Sequence, residues 1–291
     1  MTLADLHQRN RMYLMKKKFK LVLLLAAAAA GAAFGQKKGA RIGMKELNVK
    51  NGENTVYGKI IAPKDEGKHP VIIFSHGYNG CHQDFLEDAR FFAKNGYVAM
   101  TYDFCGGSTR SQSTGRSSDM TLMTEKSDLI SLVEYAGTLE RADPERIFIL
   151  GGSQGGMVSA LVAEELGGKI KAMALYYPAF CIPDDWRKKY PEGAKIPQSL
   201  NFWGLEIGKP FIENALSIDV EKETGGYEGG VLIVHGDLDD VVPIKYSEEA
   251  AERYKSAELK VLPGERHGFT PAGAAQARKL ALEFFEKQQK Q

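Results

Sequence analysis

Gly151-Gly152-Ser153-Gln154-Gly155 follows directly on the apolar run Arg146-Ile147-Phe148-Ile149-Leu150. A serine between glycines at this spacing fits a strand-to-helix turn so tight that only Gly tolerates the flanking positions. Its hydroxyl then stands out at the C-terminal edge of a sheet, where a base can reach it. Beyond the turn, Met157, Val158, Leu161, Val162 and Leu166 are apolar at helical spacing. Strand, elbow and helix are all present, and that context makes Ser153 a candidate nucleophile rather than a glycine-rich turn with a capping serine.

A serine hydroxyl is a weak nucleophile near neutral pH, so it needs a histidine to accept its proton and a carboxylate to orient that histidine. Both partners should follow the serine, each on a loop after a strand. The run Gly230-Val231-Leu232-Ile233-Val234 reads as a buried strand and leads into His235-Gly236-Asp237-Leu238-Asp239-Asp240 and Val241-Val242-Pro243. The short strand Leu259–Leu262 leads into Pro263-Gly264-Glu265-Arg266-His267-Gly268-Phe269. Asp237, Asp239 and Asp240 compete for the acid role. His267 is the base candidate by position. His7 precedes the expected mature chain, His69 and His82 lack the strand-end setting, and His76 and His235 belong to His-Gly turns that more often serve structure. His76 is retained beside the nucleophile as a substrate-binding candidate.

Strand-like runs at 41–50, 55–62, 71–75, 97–102, 147–150, 172–177, 231–234 and 259–262 alternate with helical segments after the third. The first two suit an antiparallel edge, and the others a parallel, doubly wound sheet. One connection breaks the rhythm. Between Pro178 and Tyr227 lie about fifty residues, far more than an ordinary crossover needs. They hold Trp186, Tyr190, Phe202, Trp203 and Phe211, which include both tryptophans of the chain. A segment of this size has too few residues for a core of its own, so it is expected to lie over the elbow as a cap at about 179–228. Phe202 and Trp203 are its candidates for lining an acyl pocket.

These motifs resemble the α/β-hydrolase superfamily, whose usual acid loop reads H-G-x-x-D-x-x-V-P. The resemblance implies an α/β-hydrolase fold: a mostly parallel eight-stranded sheet flanked by helices, with a small cap insertion. It puts the acid at Asp239, with Asp237 shaping the turn and Asp240 facing water or capping the helix near Pro243. It also implies an oxyanion hole from the backbone N–H groups of Tyr78, in the turn His76-Gly77-Tyr78-Asn79-Gly80, and of Gln154. The chain is most similar to the cinnamoyl/feruloyl esterase-like branch. Ser75–Tyr78, Asp103-Phe104 with Gly106 and Ser108, the elbow with Gln154, and the cap carry that likeness. Such enzymes cleave hydroxycinnamate esters from plant cell-wall polysaccharide. The chain departs in Gly152, where His is commoner, and in Cys105-Gly106-Gly107 after Phe104. Two rivals are a serine peptidase of the prolyl-oligopeptidase type, which usually carries an N-terminal propeller, and a catalytically dead hydrolase fold used as a binding module.

Lys16 to Lys18 and Lys20, the apolar run Leu21–Ala30 and the small residues to Gly35 form a secretory signal pattern. The apolar run is short of the about 20 residues a membrane span needs. Residues 1–35 are expected to be removed, and Met15 opens a more typical signal than Met1. This leaves 36–291 as one hydrolase domain, exported to the periplasm or outside the cell, with no cysteine placed for a lipid anchor. Residues 1–35 carry six basic residues and one acidic one, so the net charge of +1 becomes −4 on 36–291. That charge argues against nucleic acid or an anionic membrane as partner and leaves a small-molecule or polysaccharide-linked ester. Cys81, Cys105 and Cys181 cannot all pair internally and are read as free thiols, although Cys81 and Cys105 both follow strands at the same sheet edge. No cluster has metal-ligand spacing, and neither metal nor cofactor is expected. Sequencing the exported protein is expected to start at Gln36; an intact Leu21–Ala33 segment on soluble cytoplasmic protein would refute export.

Overall fold

The structure, a computed structural model, describes residues 40–290. The leader read over 1–35 lies outside the described residues. Ten strands follow in chain order: β1 (Ile42–Asn51), β2 (Asn54–Pro63), β3 (His69–Ser75), β4 (Val98–Tyr102), β5 (Ala142–Gly152), β6 (Ala172–Tyr176), β7 (Ser199–Phe202), β8 (Leu205–Gly208), β9 (Gly230–Gly236) and β10 (Ala257–Leu262). Eight form one sheet in the order β1-β2-β4-β3-β5-β6-β9-β10. β1 and β2 are antiparallel to their neighbours, and the other pairings are parallel. This is the α/β-hydrolase fold.

The central strands are buried along their whole length, yet period two still divides them. Val71, Ile73, Ile149, Val231 and Ile233 face one layer, with Leu129, Leu132 and Val133 of α2 (Leu122–Thr138) and Val158 and Leu161 of α3 (Gln154–Leu166). The alternate residues Ile72, Phe74, Phe148, Leu150 and Val234 meet Ala89 and Phe92 of α1 (Leu86–Lys94). A helix near the C-terminus, Pro271–Gln288, completes that layer with Ala277, Ala281 and Phe285. A capping box starts α2, with Thr121 and Thr124 each accepting the other's backbone N–H.

The segment between β6 and β9 folds as α4 (Ile182–Lys189), the β7–β8 hairpin, α5 (Lys209–Ser217) and α6 (Val220–Glu223). It is followed after β9 by α7 (Lys245–Arg253), and the C-terminal helix is α8. Trp186, Leu205, Ile207, Phe211 and Ile212 of the segment are buried in the same cluster as α2 and α3, so it extends the main core. The hairpin is not legible as a strand pair in the sequence. Phe202 pairs with Leu205, and the two loop residues, Trp203 and Gly204, both have positive φ, 43° and 83°. That is the signature of a type I′ turn, here without the usual Asn-Gly. Among the described residues, no helix is long and apolar enough to cross a membrane.

At the elbow, Ser153 has φ 53° and ψ −121°, a strained region for a non-glycine residue. Its N–H donates to Tyr176 O at 2.9 Å, and its carbonyl accepts from Gly156, Met157 and Ala179 at 2.9, 3.2 and 3.0 Å. The helix passes so close to β3 that a Cβ on Gly155 would stand 2.3 Å from the carbonyl oxygens of both Ser75 and His76. Backbone atoms cannot yield as a side-chain tip can. Gly155→Ala is therefore expected to cost about 3 kcal/mol in urea unfolding, or to prevent folded protein from accumulating.

Candidate active site

The structure brings Ser153, Asp239 and His267 into one hydrogen-bonded chain from three sheet-edge loops. His267 Nε2 lies 3.0 Å from Ser153 Oγ and Nδ1 lies 2.8 Å from Asp239 Oδ2. A carboxylate can only accept, so Nδ1 carries the proton and Nε2 is free to accept from the serine hydroxyl. The imidazole packs on the Tyr177 ring at 4.6 Å between centroids, and Phe269 meets Tyr177 at 4.7 Å. Tyr177 and Phe269 both have positive φ, 38° and 53°.

The Asp239 side chain is covered, and four donors converge on it. Oδ1 accepts from the N–H groups of Val241 and Val242 at 2.9 and 2.8 Å, Oδ2 accepts from His267 Nδ1, and His235 Nε2, whose one proton is shared with Val242 O, lies 3.1 Å from Oδ2. Burial opposes ionisation, but His235, His267 and the two backbone donors outweigh it and hold the carboxyl well below the usual carboxylate range. Asp237 instead accepts from Gly264 N–H, shaping the turn. Asp240 faces water, paired with Arg266 at 2.9 Å. It does not cap α7, whose N-cap is Ile244 without a side-chain bond.

Gly77 abuts Ser153, since a Cβ there would lie 3.2 Å from Ser153 Cβ. The turn thereby sets Tyr78 beside Ser153, with Gln154 following it at the first position of α3. Among the described residues, neither the Tyr78 nor the Gln154 backbone N–H donates to a backbone acceptor outside a helix. Both remain candidates for an incoming oxyanion. Tyr78 Oη donates to Phe202 O at 2.8 Å, and Asn79 Nδ2 donates to Trp203 O at 3.3 Å, so the hairpin tip is fastened to this turn.

A cleft of about 440 Å³ opens on Ser153 and His267, walled by Phe85, Tyr176, Tyr177, Trp203 and Phe269. Trp203 stands at its rim, 65% exposed. Two sequence expectations need correction. Phe202 does not line the cleft; its ring packs behind Trp203 at 4.8 Å and against Trp186 at 5.0 Å. His76 does not line the cleft either. It is 1% exposed, with Nδ1 donating to Gly77 O at 2.7 Å and Nε2 accepting Phe104 N–H at 3.1 Å. Burial lowers its pKa and keeps it a neutral strut for the turn.

Gly152, directly before Ser153, sits under two of these rings. A Cβ there would lie 3.1 Å from Phe85 Cζ and 3.5 Å from Tyr177 Oη, so the aromatic walls occupy the room a side chain would take. Asp84 and Asp88 complete the far end of the cleft, paired with Arg110 at 3.2 Å and Arg278 at 3.0 Å. Cys81, Cys105 and Cys181 are free and buried. Cys81, His82 and Asp103 cluster within 4.8 Å, a juxtaposition that linear spacing did not suggest. The Asp103 carboxylate there accepts from the His82 backbone and Nδ1 (2.6 and 2.8 Å) and from Gln112 N–H (2.8 Å).

Sequence reasoning missed His235 as a partner of the acid. The available signal was its place four residues before Asp239 on the same turn. Val242 O can only accept, so His235 carries its proton on Nε2 and its Nδ1 accepts from Ser247 Oγ at 2.7 Å. Tyr177 was equally invisible, because it meets His267 only through the fold.

The fold and this arrangement define a hydrolase of the α/β-hydrolase superfamily. The chain belongs to the prolyl oligopeptidase family, whose sequence profile matches residues 83–291. Over 95 residues it is 32% identical to an uncharacterised 31.7 kDa Escherichia coli protein of the traX-finO intergenic region, spanning 32% of each chain. The match thus covers about a third of that relative's length. Among solved structures it is similar to Est1E of Butyrivibrio proteoclasticus with ferulic acid bound, at 26% identity and a TM-score of 0.76, covering 84% of this chain and 100% of that one. An esterase from Pyrococcus furiosus shares the fold at 21% identity and a TM-score of 0.66, covering 84% and 91% of the two chains.

His235→Ala is expected to destabilise the protein by about 2 kcal/mol in urea unfolding, because it removes the ring beside Asp239 and the partner of Ser247 Oγ and Val242 O. Leu238→Ala in the same loop, where the side chain is exposed, is expected to change little.

Proposed function

We propose that the protein hydrolyses carboxylic esters by acyl transfer to Ser153, and that its substrates are hydroxycinnamoyl esters of the feruloyl type. The observation that carries this reading is the Asp239–His267–Ser153 chain opening on a cleft walled by aromatic rings. His267 Nε2 takes the serine proton as Oγ attacks the carbonyl, while Nδ1 stays on Asp239, whose charge stabilises the imidazolium. The N–H groups of Tyr78 and Gln154 receive the oxyanion. Collapse breaks the ester bond, and the leaving alcohol takes its proton from His267. Water then repeats the sequence and frees the acid. Likeness to Est1E, seen with ferulic acid, supports the acyl class. We also propose export, which rests on residues 16–35 alone.

Family membership favours a second reading, in which the same serine cleaves peptides. Esters and amides share the acyl-enzyme route and differ in the leaving group, so direct comparison decides. Methyl ferulate is expected to turn over at least about a hundredfold faster than a prolyl peptide anilide. The reverse order would establish the peptidase, and inertness toward both and toward a p-nitrophenyl ester would leave a binding module.

Ser153→Ala is expected to lower kcat by about a thousandfold or more with the fold intact. Near-normal activity in that variant would sink the mechanism. Asp239→Asn is expected to be far worse than Asp237→Asn or Asp240→Asn, since only Asp239 reaches His267. Trp203→Ala is expected to reduce kcat/KM for methyl ferulate by about 1 kcal/mol and to spare acetate esters. Phe202→Ala, removed from behind it, is expected to lower Tm and to affect both substrates alike.

A further inference from the structure

Gln154 brings more than its main chain to the place where an oxyanion would form. Its side chain is buried, and Nε2 donates to both carboxyl oxygens of Glu125, at 2.9 and 2.7 Å. Glu125 occupies the first turn of α2 and is 1% exposed. The loop after β4 closes over it, for a Cβ on Gly107 would lie 3.3 Å from Oε1. The titratable groups around it are Asp128 on its own helix, the Tyr78 phenol from the turn after β3, and the Tyr102 phenol from β4. Among the described residues no cation is paired with it. Asp128 is itself committed to Cys105 N–H and Asn51 Nδ2, at 2.7 and 2.8 Å.

We propose that Glu125 is a positioning residue for the oxyanion hole: neutral, it anchors the Gln154 side chain and so the first turn of α3; ionised, it sets a negative charge beneath the hole and slows acyl transfer. The inference rests on the reading of Ser153 as nucleophile. A buried carboxyl without a cation has little to stabilise its charge, and the Gln154 carboxamide offers only partial relief. Burial accordingly pushes Glu125 up to about 8 despite the bonds from Gln154. The sign follows directly. Below that value the acid is neutral and the hole is unopposed; above it the carboxylate repels the developing oxyanion, and turnover falls as pH rises. A group that supports the transition state through Gln154 moves kcat and leaves KM nearly unchanged.

The test is steady-state kinetics of the full chain on 1-naphthyl acetate and methyl ferulate from about pH 6 to about pH 10, with melting curves at both ends. The unaltered protein is expected to lose about tenfold in kcat across the alkaline range, with KM steady. Glu125→Gln keeps a partner for Gln154 without the charge. It is expected to stay within about threefold at neutral pH and to show no alkaline fall. Glu125→Ala, which leaves the carboxamide unpaired, is expected to lose about 10- to 100-fold in kcat at every pH. An alkaline fall that survives in Glu125→Gln, its absence from the unaltered protein, or a loss carried by KM would overturn the proposal. So would a Glu125→Gln protein that melts lower at both pH extremes, which would mark a purely structural acid. If Ser153→Ala is inactive while Glu125→Gln behaves like the unaltered protein, this inference alone fails. An active Ser153→Ala removes both.

Discussion

Everything at the sheet edge depends on one close approach, the backbone of Gly155 against the carbonyls of Ser75 and His76. It lets α3 start directly on the end of β3, and with it the strained Ser153 stands clear of the sheet. The same approach puts Gly77 against the Ser153 side chain, which brings the Tyr78 turn beside the elbow. His76 serves this contact by bracing the turn against the loop after β4, with both ring nitrogens engaged. The strain at Ser153 persists because neighbouring strands and α3 bind its N–H and carbonyl from several sides.

Two carboxyls near that elbow show how donors and burial together decide charge. The Asp239 side chain is covered yet stays ionised, because two histidines and two backbone N–H groups point at it. Glu125 is more deeply buried and receives only the Gln154 carboxamide, with another carboxyl, Asp128, close by. One acid is therefore suited to orient and stabilise a positive imidazolium, and the other to remain uncharged near neutral pH.

The insertion is best understood as part of the same machinery. Its apolar side chains continue the core over α2 and α3, and its hairpin tip is hydrogen-bonded to Tyr78 and Asn79. Trp203 at the cleft rim and Tyr78 beside Ser153 are thus fixed to each other rather than carried by independent parts. Placing an exposed tryptophan at a two-residue turn leaves a large apolar surface facing the cleft, which suits contact with a flat apolar group.

The sequence by itself determined the sheet, the elbow and the order Ser153, Asp239, His267. Those signals are local: apolar runs of strand length, glycines where a turn admits no Cβ, and polar residues at strand ends. It also separated Asp239 from Asp237 and Asp240 through resemblance in a single loop. Tertiary structure decided the rest. His235 joins Asp239, Tyr177 meets His267, and Glu125 reaches Gln154 across 29 positions, through side-chain directions that no period or motif encodes. It also moved Phe202 and His76 away from the substrate side. In the sequence each was a candidate for the substrate side, but Phe202 packs on Trp186 and the His76 ring braces the turn through Phe104 N–H. A residue's type and neighbours in the chain set what it can bond, while only the folded arrangement sets which partner lies within reach.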